Sequence, residues 1–204
     1  MVLEKKTVEW LIAIGYVIRR LATKCANHYV IVRRSESLKP IQLGVGVPGG
    51  AEAAVHVMRR LLLQLLTDHV VVKLDFTNTF NSVRRDPSLE TISELYRFVH
   101  AAYSCDPILS YRSYQIWSKE GFQQGDLLSA LEFCETVQPL LSSHNLDVSL
   151  GFMVDFTLLG PVDIVACDVE KITSATSEIG LLLNHTKCEV ISFDDTIMHK
   201  LIFQ

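Results

Sequence analysis

The chain has little of what marks several specialised protein classes. Its 204 residues include 10 Gly, 6 Pro and 5 Cys, too few for a collagen-like, low-complexity or disulfide-dense protein. The cysteines (Cys25, Cys105, Cys134, Cys167 and Cys188) are odd in number and scattered, with no CxxC pair. They read as reduced thiols of an intracellular protein, not as a zinc framework. His185 lies near Cys188, but two ligand types do not make a metal site. Long apolar runs are missing too: Leu61 to Leu66 is broken by Gln64 and flanked by Arg60 and Asp68, far short of the ~20 residues of a membrane helix. Met1 to Lys6 is charged and no cleavage pattern follows it, so no secretory leader is expected. A soluble chain of the nucleus or cytoplasm, with no membrane partner, is the expectation.

What is present is enough apolar material for a core: 49% hydrophobic residues, 21% charged and a mean hydropathy of +0.24, which excludes a disordered chain. The net charge of −4 argues against a uniformly basic nucleic-acid coat. That figure conceals an asymmetry. Residues 1 to 70 carry ten Lys/Arg against five Asp/Glu, and residues 71 to 204 carry nine against eighteen. A basic half able to meet phosphates stands beside an acidic half able to hold metal ions; ordinary solvated faces would look the same.

Along the chain, Val8 to Cys25 reads as an apolar strand or helix leading into a helix with Arg19, Arg20 and Lys24. Tyr29 to Val32 is a short β-branched run, and Arg33 to Pro40 is polar. Leu43 to Gly50 is a loop by composition, and Ala51 to Leu66 a helix by the spacing of Val55, Met58, Leu62 and Leu65. His69 to Phe76 reads as a buried strand ending at Asp75. Residues 87 to 103 read as a helix, Tyr111 to Trp117 as a strand or hairpin, and Leu127 to Leu141 as a buried helix. Val148 to Met153 and Phe156 to Leu159 read as two strands meeting at Val154-Asp155. Val162 to Ile179 is the clearest helix, with Val162, Val165, Val169, Ile172 and Ile179 on one face, Pro161 at its start and Gly180 at its end. Leu181 to Leu183 and Glu189 to Phe193 are extended. The predicted architecture is α+β, an antiparallel sheet with helices on one face.

Gly44-Val45-Gly46-Val47-Pro48-Gly49 matches the dinucleotide fingerprint GxGxxG and opens a helix. The preceding run is short and broken by Pro40, and Asp75 lies 31 residues beyond Gly44, whereas the fingerprint expects an acidic residue about 20 residues on. No further βαβ pattern follows, so a Rossmann domain is disfavoured.

Three segments carry chemistry together. Val70 to Val83 places Asp75 at the end of a buried strand, with Phe80 five residues on. Gly121-Phe122-Gln123-Gln124-Gly125-Asp126 is a glycine-containing loop that opens a helix. Gly151-Phe152-Met153-Val154-Asp155-Phe156 is a tight hairpin tip. In order and spacing they resemble the polymerase palm of a reverse transcriptase of the non-LTR (LINE-type) retrotransposons, over about Ile12 to Ile191. The resemblance implies residues 1–69 as a partial fingers segment and residues 70–204 as the palm, with 84–118 contributing to fingers. It implies an RNA-directed DNA polymerase, whose partners are an RNA template, a DNA primer and dNTP. In such an enzyme two divalent ions about 4 Å apart bind the attacking and leaving oxygens, and hard Mg²⁺ (or Mn²⁺) takes carboxylate and phosphate oxygens. Asp75 and Asp155 are then the metal ligands, and the Phe76 carbonyl adds an oxygen. Phe80 is the gate against the ribose 2′-hydroxyl, and Phe152 is the aromatic residue of the hairpin. Gln124 and Gly125 position template and nucleotide, and Lys187 protonates pyrophosphate. Arg19, Arg20, Lys24, Arg33 and Arg34 are candidate nucleic-acid contacts.

The sequence departs from the family where the chemistry is concentrated. The family hairpin is aromatic-x-Asp-Asp; here Val154 replaces the first aspartate, and an isopropyl group cannot coordinate Mg²⁺. Trp10-Leu11 stand where the family carries Arg-Pro, Leu127 replaces a proline, and the stretch from Asp86 to Tyr96 is shortened. The chain ends at Gln204, where the family would continue into a thumb. Three readings follow: an impaired polymerase; a catalytically dead remnant that binds RNA or an RNA–DNA hybrid; or a chain that merely folds.

Overall fold

The computed structural model describes residues 16–86, 93–106, 108–111, 114–142 and 146–194. Its centre is β1 (His69–Leu74), in which Val70, Val71, Val72 and Leu74 are all buried. Consecutive β-branched residues suit a strand enclosed on both faces, where each side chain contributes about 1.5–3 kcal/mol of transfer free energy. β1 pairs antiparallel with β5 (Asp155–Pro161) on one side and β6 (Glu189–Ile191) on the other. β4 (Val148–Phe152) pairs with the far edge of β5, giving the order β4-β5-β1-β6. This all-antiparallel sheet excludes a Rossmann domain. The loop Gly44 to Gly49 instead opens α2 (Gly50–Leu62), which stops four residues short of the predicted Leu66.

Two helices supply most of the helical side chains of the core. α6 (Val162–Glu178) leaves β5 through Pro161 and turns Val162, Val165, Val169 and Ile172 into the core, as the 3.6-residue spacing requires. It ends at Gly180, which has φ +84° and lies so close to Ser82 that a Cβ would strike its carbonyl. α5 (Ser129–Ser142) is buried continuously from Leu131 to Val137, because it lies between α6 and α1.

α1 (Val17–Leu38) departs from expectation. Tyr29 to Val32 is not a separate extended run, and Arg33 to Leu38 is helical. Val30 and Leu38, eight residues apart on one stripe, are completely buried, and docking on α5 overrides the local preference of a β-branched run. The helix ends before Pro40, whose ring disfavours helical backbone at Lys39; that residue is extended at ψ 153°. The predicted segment Val8 to Gly15, Trp10-Leu11 and residues 87–92 lie outside the described residues.

The remaining elements are short. α3 (Thr79–Ser82) follows β1; of the helix expected over 87–103, residues 93–95 form a turn and only Tyr96–Tyr103 is helical, as α4. β2 (Ile108–Tyr111) and β3 (Tyr114–Trp117) form a separate two-stranded ribbon that begins earlier than the predicted Tyr111.

Candidate functional site

A cleft of about 350 Å³ opens beyond the end of β1. Asp75, Phe76, Phe80, Gln124, Val154 and Lys187 all line it, residues spread over more than a hundred positions of sequence. Local hydrogen bonds explain how each arrives there. Asp75 follows the last strand residue; its carbonyl accepts from the Asn184 N–H at 2.8 Å, and the Thr77 N–H donates to the Leu182 carbonyl at 2.9 Å. An isolated bridge between Phe76 and Leu183 completes that seam, and the turn from Asn184 to Cys188 carries Lys187 to the rim. Burial pushes the Cys188 thiol up from its usual range, and its sulfur receives the Asp75 N–H at 3.5 Å.

Phe80 sits on the turn of α3, which is tied back by the Thr79 hydroxyl donating to the Phe76 carbonyl at 3.0 Å. Its ring packs on Phe133 at 5.4 Å, Phe133 stacks on Phe156, and Phe156 meets Phe76 edge-on at 5.6 Å. One aromatic file thus connects the cleft wall to the core. Gly121, at φ +69°, lies against the Phe80–Asn81 backbone where no side chain would fit, and the adjacent Phe122 N–H donates to the Phe80 carbonyl at 2.6 Å. This contact sets the start of the loop that delivers Gln124.

Val154 occupies the tip of the β4–β5 hairpin, half-buried against the core. Asp155 pairs with Phe152, and Phe156 pairs with Leu74, so continuing the register one step sets Asp155 opposite Asp75. Neither Asp155 nor Phe152 nor Gly125 lines the cleft. The Asp155 carboxylate is 3.8 Å from Lys73 Nζ, which is also 4.0 Å from Glu189. A pair of divalent ions needs several carboxylate oxygens converging on one place. The donor set here is two aspartates, one of them off the cleft and beside an ammonium group, with an isopropyl group on the cleft wall. Among the described residues no group of three His, Cys, Asp or Glu side chains converges on a point. The set does not fit two ions.

The predicted basic contacts divide. Arg19 pairs with Asp126 at 3.0 Å, and Asp126 also accepts from the Tyr103 hydroxyl at 2.9 Å. The guanidinium groups of Arg19 and Arg85 each lie 5.1 Å from the Tyr103 ring centroid; burial raises its phenol pKa far above the usual value. Arg33 stacks on Tyr29 at 4.0 Å. Arg34 pairs with Glu94 at 2.6 Å, and this hydrogen bond raises the arginine pKa and lowers that of the glutamate. Arg20 and Lys24 are exposed. Arg19 and Arg20 share a small recess with Gly125.

Two residues that sequence reasoning passed over shape the site. Gln42 is completely buried. Its Oε1 accepts the Met153 N–H at 3.1 Å, and its Nε2 donates to the Met153 carbonyl at 3.2 Å. Flanking bonds join Leu43 and Ile41 to Gly151, whose missing side chain leaves the space Gln42 fills. The chain between α1 and α2 thereby clamps the hairpin tip. Glu132, on α5, is buried with no hydrogen-bond partner for either oxygen. Burial, then the neighbouring charges of Glu135 and Asp126, push its carboxyl pKa up to about 8.

No protein-family model matches the chain, and no curated protein does. Solved structures do. Apo telomerase from Candida tropicalis superposes with a TM-score of 0.63 at 12% identity, covering 86% of this chain and 37% of that one. The same organism's telomerase in complex with a TWJ fragment of telomeric RNA gives 0.58 at 14% identity, over 88% and 34%. Telomerase from Candida albicans with the same kind of fragment gives 0.53 at 12%, over 85% and 34%. The chain spans about a third of the length of these proteins. No helix among the described residues is long and apolar enough to cross a membrane. At such low identity the likeness concerns architecture alone: the chain has a reverse-transcriptase-like fold.

Proposed function

We propose that the chain is the fingers-and-palm part of a reverse transcriptase of the non-LTR retrotransposon type that holds an RNA template, a DNA primer and a dNTP but is impaired in synthesis. The observation that carries this reading is the cleft that gathers Asp75, Phe80, Gln124 and Lys187 with Val154 on its wall. In template-directed addition the primer 3′-hydroxyl attacks the α-phosphorus of the nucleotide and pyrophosphate leaves. Phe80, braced by Phe133, fits the role of steric gate against a 2′-hydroxyl. On this reading Gln124 meets the nascent base pair, and Lys187 offers positive charge, or a proton, to the leaving pyrophosphate. With one carboxylate replaced by Val154, the stabilisation that metal ions supply to this class of reaction is weakened by orders of magnitude. Template and primer of this kind belong in the nucleus or cytoplasm.

The test pairs binding with primer extension on an RNA template in Mg²⁺ or Mn²⁺. The native chain should bind an RNA–DNA hybrid with an affinity that falls as salt rises and extend it at background level. Val154→Asp should raise extension at least about tenfold. Native synthesis equal to that of the variant would refute the impairment; absence of hybrid binding would refute the nucleic-acid reading and leave a chain that merely folds.

A further inference from the structure

The β2–β3 ribbon stands apart from the main sheet. Every residue of β3 is exposed, including Tyr114 at 62%, Ile116 at 39% and Trp117 at 57%, and Ile108, paired with Trp117, is exposed as well. Because side chains alternate along a strand, Tyr114 and Trp117 lie on opposite faces. A two-stranded ribbon with both faces in water is marginally stable alone, and aromatic residues displayed this way need a cover.

Three observations indicate the cover. From Ile108 to Lys119 the sequence contains Arg112 and Lys119 and no acidic residue, in a half of the chain where acids outnumber bases two to one. That charge suits phosphates. The base of the ribbon is fixed: Arg85, 6% exposed, donates to the carbonyls of Ser118, Glu120 and Gly121 and to the Ser118 hydroxyl. From that anchor the chain runs directly through Gly121 and Phe122 to Gln124 on the cleft wall. The ribbon is therefore an aromatic arm whose chain leads past Lys119 and the Arg85 anchor into the cleft wall.

We propose that this ribbon is a stacking platform for single-stranded nucleic acid, Trp117 and Tyr114 taking unpaired bases of the strand that extends from a duplex in the cleft. The inference rests on the nucleic-acid reading of the cleft and adds a second subsite to it. Stacking on an aromatic side chain is tolerant of sequence and strengthens binding by about tenfold per base.

The experiment compares a blunt RNA–DNA hybrid with the same hybrid carrying a single-stranded template overhang of about six nucleotides. The overhang should tighten binding about a hundredfold, about tenfold for each of the two bases, and quench Trp117 emission. Trp117→Ala should remove about tenfold of that increment, Trp117→Phe should keep it while removing the quench (Trp10 then being the only tryptophan), and blunt-duplex affinity should stay unchanged in both. An increment that is absent, or that Trp117→Ala leaves undiminished, overturns the inference while leaving the cleft reading intact. Failure of the blunt hybrid to bind while single strands still bind through Trp117 refutes the cleft reading alone. A dimer that Trp117→Ala converts to monomer assigns the ribbon to self-association and overturns the inference.

Discussion

Replacing Glu132 with glutamine should stabilise the protein, by an amount that grows with pH. Both carboxylate oxygens are buried without a hydrogen-bond partner, as is one amide oxygen each of Asn27 on α1 and Gln138 on α5. Of such unpartnered buried acceptors, an ionised carboxylate is the costliest. In the folded chain Glu132 releases its proton near pH 8, against the ordinary 4.5. Between these values the folded state holds a proton that the unfolded state has lost, so unfolding becomes easier by about 1.4 kcal/mol per pH unit as pH rises. The accumulated cost is about 3 kcal/mol at pH 7 and levels off near 5 kcal/mol above pH 8, upper bounds because water that reaches the carboxylate would reduce both. Glutamine keeps the shape, never ionises, and brings two N–H donors. Urea denaturation at a series of pH values from about 5 to 9 should give a stability difference between the two chains close to zero at the acid end. That difference should rise through neutrality and flatten past pH 8. The charged groups on the packed elements, Arg19 and Arg34 on α1, Glu135 on α5 and Asp168 on α6, are common to both chains, so the difference isolates Glu132. A difference that stays constant across this range would refute the assignment of a buried, neutral Glu132.

Gln42→Leu should preserve volume but leave the Met153 N–H and carbonyl without partners, at a cost of about 2 kcal/mol. The loss shows as a lower urea midpoint, together with faster hydrogen exchange at the β4–β5 turn than elsewhere in the sheet. Arg34→Gln should lower stability by roughly 1 kcal/mol or less, the pair with Glu94 being partly exposed, and change RNA–DNA hybrid affinity little. Arg20→Gln with Lys24→Gln should do the reverse, leaving the urea midpoint in place and reducing the slope of log affinity against log salt by up to ~2. A loss of affinity confined to Arg34→Gln would overturn that division.

Much of the fold was legible, and what was not has a common physical cause. The strand at Val70 to Leu74, the Val154 hairpin and the helix from Val162 announce themselves through local pattern: a β-branched run, alternation about a turn, a 3.6-residue stripe. The helical state of Tyr29 to Val32, a β-branched run, was not legible because it is decided by Val30 and Leu38 docking on α5, a hundred residues later. The cleft residues could be grouped in advance only through the order of three segments, since an aspartate ending a strand has no distinctive local signature. Gln42 reads as one more polar residue in a loop, and nothing in the helix expected over Leu127 to Leu141 marks Glu132 as an unpaired carboxyl. Likewise Arg19 and Arg34 looked available for phosphates, until Asp126 and Glu94, 107 and 60 residues away, proved to be their partners.

Charge on the open face of the sheet decides how the Val154 site should respond to repair. Lys73 lies between Asp155 and Glu189 at 3.8 and 4.0 Å, with all three side chains about half exposed. Pairs of that length and exposure are worth at most about 1 kcal/mol, far less than a divalent ion gains from converging carboxylates. Lys73 is therefore too weakly held to be what keeps a metal away, and the missing third carboxylate is the limiting element of the donor set. On the proposed reading, removing the ammonium group would leave Asp75 and Asp155 still short of a site. Placing a carboxylate at 154, on a turn whose backbone Gln42 already fixes, would supply the absent oxygens in a preset position. Repair therefore hangs on residue 154.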